Sequence, residues 1–149
     1  MSRLPNISIV VPNYNGGTTL EATLGSLVDQ HYSKLEIIVV DGASTDNSVD
    51  VIKQYEPYIA WWVSEKDRGQ AHGINKGFAK CTGEIVNWLS SDDLLMPGAL
   101  DIVGRHFAES PHIDVLVGHC RYVDLTFETV LPVKIVVRRQ GVDRKNRNE

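Results

Sequence analysis

Several features that would assign a function class outright are missing from this 149-residue chain. Only two cysteines are present, Cys81 and Cys120, far apart and without metal-ligand spacing. That excludes a disulfide scaffold and a cysteine-built zinc site. Both thiols are expected to be reduced packing residues, with a single disulfide as the alternative. No apolar run approaches the ~20 residues that span a bilayer. Met1-Ser2-Arg3-Leu4-Pro5 leads straight into a strand-like run, without the apolar stretch of a signal peptide. The expected location is cytoplasmic, including peripheral attachment at the inner face of the membrane. A formal net charge of −4 removes any global signal for nucleic acid. No Gly-x-Gly-x-x-Gly follows the first strand-like run, which argues against a dinucleotide-dependent dehydrogenase. Pro12-Asn13-Tyr14-Asn15 stands where a phospho-receiver would carry an acidic pair.

The charge that is present is uneven. Residues 138–149 hold five basic residues (Arg138, Arg139, Arg144, Lys145, Arg147) and two acidic ones. Taking these from the totals of 15 and 19 leaves 10 basic and 17 acidic residues, a formal −7, for residues 1–137. A basic tail, expected to be disordered, therefore follows an acidic domain.

With 42% hydrophobic and 23% charged residues, the chain suits one domain with a genuine core. Ile7-Ser8-Ile9-Val10-Val11 reads as a buried strand ended by Pro12. Further continuous apolar runs predict strands over 35–40, 59–63 and 84–89. Helical spacing predicts helices over 19–29, 47–55, 70–79 and from beyond Pro97 to about Phe107. Past these, a strand is predicted over 114–117, then an antiparallel hairpin of 120–130 with 133–137. Strands without alternation are buried on both faces. The repeated strand, loop, helix order thus predicts a doubly wound, mostly parallel α/β sheet. Right-handed crossovers then bring the loops at 12–17, 41–46, 64–69 and 90–93 to the carboxyl edge of the sheet, where ligands bind.

Ser91-Asp92-Asp93 is the most chemically specific of these loops. Adjacent carboxylates at the end of a buried strand are costly unless compensated. A divalent cation carrying a diphosphate compensates them, since Mg²⁺ takes one or two carboxylates plus substrate phosphates. Taken alone, the dipeptide reads more readily as a solvated turn.

The ordered motifs Val11-Pro12-Asn13-Tyr14-Asn15, Val40-Asp41-Gly42-Ala43-Ser44-Thr45-Asp46, Glu65-Lys66-Asp67-Arg68-Gly69-Gln70, Ile74-Asn75-Lys76-Gly77, Thr82-Gly83-Glu84-Ile85 and Ser90-Ser91-Asp92-Asp93 change that balance. Each is weak alone; as an ordered set over roughly residues 5–125 they resemble the nucleotide-sugar-binding half of a family-2 glycosyltransferase with the glycosyltransferase-A (GT-A) fold. The resemblance implies a GT-A-like domain over 1–137, cut short of its acceptor half. The implied reaction transfers a sugar from a nucleoside diphosphate, most readily a UDP-sugar, to the hydroxyl of a carbohydrate or lipid-linked acceptor. It also implies inversion, a divalent Mg²⁺ or Mn²⁺ cofactor, and a place in polysaccharide synthesis. The alternative is a non-catalytic nucleotide-sugar-binding or assembly module.

The resemblance also implies residue roles. Pro12, Asn13 and Tyr14 would lie beneath the nucleoside, with Tyr14 offering a flat face to the base. Tyr14 is nearly as well explained as a loop aromatic packed on the first helix. Asp41 would recognise the base or ribose, or serve as a turn former with Asp46. Arg68, and more weakly Lys66, would contact phosphate; the bland reading of Arg68 is a surface pair with Asp67. Ser91 and Asp92 would contact the nucleotide, with Asp92 and Asp93 holding the metal. Ser90 replaces an acid of the longer family motif, which makes the loop less negative. His72 stands where an acid is common but reads as a solvated helix residue, and His119 is given no role. Trp61, Trp62 and Trp88 are expected in the core. No acid beyond the metal loop stands in a context that identifies a general base. The exposed strand edge of a shortened domain, near Val133 to Val137, is expected to favour self-association.

Overall fold

The computed structural model describes residues 3–123 and 129–139. Four parallel strands form the larger part of the sheet: β1 (Ile7–Asn13), β2 (Leu35–Asp41), β3 (Trp61–Ser64) and β4 (Ile85–Trp88). Helices α1 (Leu20–Val28), α2 (Ser48–Tyr55) and α3 (Gln70–Phe78) connect them, and α4 (Ala99–Glu109) follows β4. The six-stranded order is β3-β2-β1-β4-β6-β5, with β5 at Val115–Val123 and β6 at Thr129–Arg139. β1 pairs in parallel with both β2 and β4, in a register that sets Ile7 beside Leu35 and Ile85.

All seven residues of β1 are buried, as expected of a central strand covered on both faces. One face of the sheet carries the larger core. Ile7, Ile9, Val11, Ile37 and Val39 pack there with Leu20, Leu24 and Leu27 of α1, Ile52 of α2 and Phe107 of α4. The other face is built on Val10, Ile38 and Val40, with Trp61 and Phe78 packed against them. There α3 presents glycine to the sheet. A side-chain carbon on Gly77 would lie 2.3 Å from Val10 Cγ1, so the helix sits as close as a bare backbone allows.

The C-terminal strands differ from the sequence reading. Instead of a short strand over 114–117 followed by a hairpin, one strand runs Val115–Val123 and pairs antiparallel with Thr129–Arg139. Residues 124–128 of the expected hairpin lie outside the described residues. β6 lies between β5 and β4, pairing with β4 at Val86↔Arg138 and Ile85↔Arg139. The free edge at this end is therefore β5, and the segment 133–137 is already paired to it. Ordered strand also continues through Arg139, two residues past the expected start of the tail; residues 140–149 lie outside the described residues. Cys81 and Cys120 are free and half-buried. Among the described residues no helix is long and apolar enough to cross a membrane.

Candidate nucleotide-binding cavity

Crossovers run from β1 to β2 to β3 on one side, and the chain then returns to β4 on the other side of β1. That reversal parts the loops after β1 and β4, which is where open α/β sheets bind ligands. A cavity of about 800 Å³ lies there. The end of β1 and the loop after it line it with Pro12, Asn13, Tyr14, Asn15 and Gly16, and the residues leading into α1 with Thr18 and Thr19. The loop before α3 adds Asp67, Gly69 and Gln70, and the loop after β4 adds Ser90, Ser91 and Asp92.

The structure brings Pro12, Asn13, Tyr14, Ser91 and Asp92 to this cavity, together with residues that the sequence did not single out. Of these, Asp67 accepts a hydrogen bond from the Gly69 amide at 2.8 Å, fixing the turn into α3. Gln70 Nε2 donates to Ser90 Oγ at 3.2 Å, tying the start of α3 to the loop of acids. Both residues stand within two positions of a residue chosen from sequence, and only the contact across loops distinguishes them. Tyr14 is 69% exposed, so its ring is open to a ligand and is not packed against α1.

Asp41 does not line the cavity. It is fully buried. Its Oδ1 accepts hydrogen bonds from Asn13 Nδ2 at 2.7 Å and Ser44 Oγ at 2.5 Å. Its Oδ2 accepts from the Ser44 amide at 2.9 Å and Ser64 Oγ at 2.6 Å. With both oxygens occupied, this carboxylate is an internal post joining the ends of β1, β2 and β3. Asp46 braces the same corner from outside: its oxygens accept from the Gly17 amide at 2.8 Å and the Ser48 amide at 3.0 Å. Asn15, in left-handed backbone at φ 50°, accepts from the Thr45 amide at 2.8 Å, and its own amide donates to Ser44 Oγ at 2.7 Å. The loop at 41–46 thus supports the cavity loop without facing the cavity.

Lys66 and Arg68 are exposed and lie outside the lining, although Arg68 sits between the lining residues Asp67 and Gly69. His72 is half-buried and its Nδ1 accepts from the Arg68 amide at 3.4 Å, so it is a capping group more than a solvated one. Trp61 and Trp62 pack partly into the two cores, but Trp88 is 40% exposed.

Asp93 follows Asp92 in a tight turn closed by its amide on Ser90 O at 3.0 Å. Partial desolvation, with the Asp92 charge second, holds the Asp93 carboxyl above its ordinary range. Among the described residues no group of three or more His, Cys, Asp or Glu is assembled for a metal ion. Asp92 lines the cavity and Asp93 lies outside the lining; a carboxylate there suits an ion that brings most of its oxygen ligands with it, as Mg²⁺ does with a diphosphate.

Comparison with known proteins agrees with this architecture. Residues 8–148 match Glycosyl transferase family 2. An uncharacterised glycosyltransferase of Nostoc sp. is 35% identical over 127 residues, spanning 79% of this chain and 39% of the relative. An uncharacterised glycosyltransferase of Rickettsia typhi is 31% identical, spanning 79% and 36%. The chain thus spans well under half the length of these relatives. Among solved structures, a mannosyltransferase from Pyrobaculum calidifontis in complex with GDP-Man and Mn²⁺ is 30% identical. Its TM-score is 0.66, over 76% of this chain and 35% of that one. S. aureus TarS in complex with UDP-GlcNAc is 25% identical with a TM-score of 0.64, over 74% and 33%. With its fold, its cavity at the chain reversal and its match over residues 8–148, the chain belongs to glycosyl transferase family 2.

Proposed function

We propose that this chain forms the donor-binding part of an enzyme that transfers a sugar from a nucleoside diphosphate to an acceptor hydroxyl, with metal assistance and inversion. The observation that carries the reading is a single cavity in which an exposed aromatic ring, Tyr14, and a carboxylate, Asp92, face the same space from the loops of β1 and β4. The ring suits a base and the carboxylate suits a metal-bound diphosphate, so the two span one nucleotide sugar. Nucleotide-sugar complexes of the mannosyltransferase and TarS support it.

Pro12 and Asn13 form the floor beneath the nucleoside. The Ser91 hydroxyl is placed to donate to a phosphate or sugar oxygen. Arg68 and Lys66, exposed beside the lining, supply positive charge to the phosphates. Asp92, with Asp93 beside it, would hold a divalent ion, which offsets charge developing on the leaving diphosphate. Polysaccharide synthesis is the expected setting, with a carbohydrate or lipid-linked acceptor. Among the described residues two acids line the cavity, Asp67 and Asp92. Asp67 uses Oδ1 to fix a helix start and Asp92 is the metal candidate, and no contact singles out either as the base. The general base therefore stays unassigned.

Calorimetric titration with UDP and GDP, with Mn²⁺ and with chelator, tests the proposal. We expect binding that weakens at least tenfold without metal, UDP being favoured. Equal affinity in chelator would refute the metal role, and no nucleotide binding in Mn²⁺ would refute the function.

A further inference from the structure

We propose that Asn13 is the residue through which the cavity recognises a hydrogen-bond donor of the nucleoside, and that Asp41 acts only through it, as a positioning residue. The proposal rests on the nucleoside-diphosphate reading above. Asn13 closes β1, lines the cavity and is only 4% exposed. Its amide orientation is fixed by chemistry. Nδ2 lies 2.7 Å from Asp41 Oδ1 and 3.3 Å from Ser44 Oγ, and the opposite orientation would set a carbonyl against a carboxylate. Oδ1 is therefore turned away from Asp41. It is buried and has no hydrogen-bond partner.

Such an atom is uncommon in a folded protein, because an unmade buried hydrogen bond is costly. Its position supplies a reason. The point that a side-chain carbon on Gly16 would occupy lies 2.3 Å from Asn13 Oδ1 and 2.8 Å from Ser91 Oγ. Gly16 and Ser91 both line the cavity, so Oδ1 lies where the loops of β1 and β4 meet. A side-chain carbon at position 16 would collide with it. Among the described residues the other buried side-chain atom of this kind, Ser48 Oγ, belongs to α2 beside Asp46 and not to the cavity lining.

A carbonyl oxygen only accepts, and so do the oxygens of a fully ionised diphosphate. Of the groups that UDP offers, the ribose O–H and the base N–H are the ones that can donate to Asn13. Asp41 cannot take that place without surrendering bonds it already makes. Its charge polarises the Asn13 amide across the 2.7 Å contact and makes Oδ1 a better acceptor.

The test titrates the 149-residue chain in Mn²⁺ with UDP, 2′-deoxy-UDP, 3′-deoxy-UDP, N3-methyl-UDP and pyrophosphate, for the unmodified protein and Asn13→Ala. The analogue without the recognised donor should bind the unmodified protein roughly five- to tenfold more weakly than UDP. Asn13→Ala should weaken UDP by a similar factor, no longer distinguish that analogue, and bind pyrophosphate as before. The deoxy and N-methyl arms separate ribose from base. Unchanged UDP affinity in Asn13→Ala, retained discrimination, or a parallel loss of pyrophosphate would each overturn the proposal, the last by revealing a purely structural role. So would an unmodified protein that discriminates against none of the analogues. If Asn13→Ala does not fold, Asn13→Ser makes the same comparison, since its shorter side chain keeps a polar group near Asp41 but does not reach the position of Oδ1. Failure of the unmodified chain to bind UDP at all would instead refute the function on which the inference rests.

Discussion

Two carboxylates at the same corner, Asp41 and Asp46, do different work because one is sealed from water and the other is not. Removing Asp41 strands donors on Asn13, Ser44 and Ser64 inside the protein. At roughly 1–3 kcal/mol for each unsatisfied buried group, partly relieved by water entry, Asp41→Ala should cost about 3 kcal/mol in urea unfolding. It should also weaken UDP by freeing the Asn13 amide. Asp46→Ala should cost less stability and leave UDP affinity close to normal. A normal-binding Asp41→Ala beside a non-binding but stable Asp46→Ala would reverse these roles. At the opposite edge of the sheet, Glu36 accepts from Ser8 Oγ, from the Thr82 amide at 2.8 Å and from Thr82 Oγ1 at 2.8 Å. Desolvation is the largest single influence on its carboxyl and raises it, but the hydrogen bonds from Ser8, Thr82 and Gly83 together prevail and hold it below the ordinary range. A lowered folded value contributes stability above the unfolded pKa of about 4.3, and that stability is lost as pH falls through the folded value. Glu36→Gln should therefore lower stability at neutral pH and flatten the acid limb of a pH–Tm profile. An unchanged acid limb would show that the network carries no linkage.

Among the elements, α3 depends most on what its residues do not have. Gly73 and Gly77 are its buried positions, and both face side chains of β1 or β2. Gly77→Ala gains intrinsic helix propensity but forces a methyl against Val10, and overpacking of that kind costs about 1–3 kcal/mol. We expect destabilisation in that range by urea unfolding; a stabilised variant would show that α3 is free to shift outward. The loops are stapled to each other as firmly as the helices are packed. Asn15, Ser44, Thr45, Asp46 and Gly17 exchange bonds across 29 or 30 residues of sequence, which holds the cavity wall without a ligand.

At the scale of the whole molecule, two surfaces set what the chain can do alone. The cavity has a ring, an amide and a carboxylate for a donor but no group assigned to deprotonate an acceptor. Positioned general bases contribute about 10²–10⁴-fold. We expect the 149-residue chain to bind nucleotide sugar and to transfer it poorly, measured by release of labelled sugar to an acceptor panel. Robust turnover would show that a base among its own residues had been overlooked. The second surface is the β5 end of the sheet, where Val115 and Val117 are exposed while Leu116 between them packs on the core. Edge strands of this kind pair with other chains. Sedimentation should show concentration-dependent association that Val117→Lys reduces. A monomer at high concentration would count against an open edge.

Hydrophobic pattern alone carried much of this protein. Continuous apolar runs can be buried only in a covered parallel sheet, and helices spaced between them leave few topologies. The order of polar loops therefore followed from sequence, as did the arrival of Tyr14 and Asp92 at one cavity. Strand partners at the C-terminal end did not follow, because antiparallel register depends on which neighbour a strand finds. The edge consequently moved from 133–137 to β5. Burial of individual polar groups was equally illegible. Asp41 ends its strand just as a ligand-facing acid would, and nothing local distinguishes a carboxylate that meets a nucleoside from one filled by Asn13, Ser44 and Ser64. Those partners come from positions 13 to 64, and only the folded chain brings them within 2.5–2.9 Å of one carboxylate. Sequence determined which elements form and which edge carries the cavity, because periodicity and burial are local demands. Tertiary structure decided which acid lines the cavity and which holds the wall, because hydrogen-bond satisfaction is settled between loops far apart in the chain.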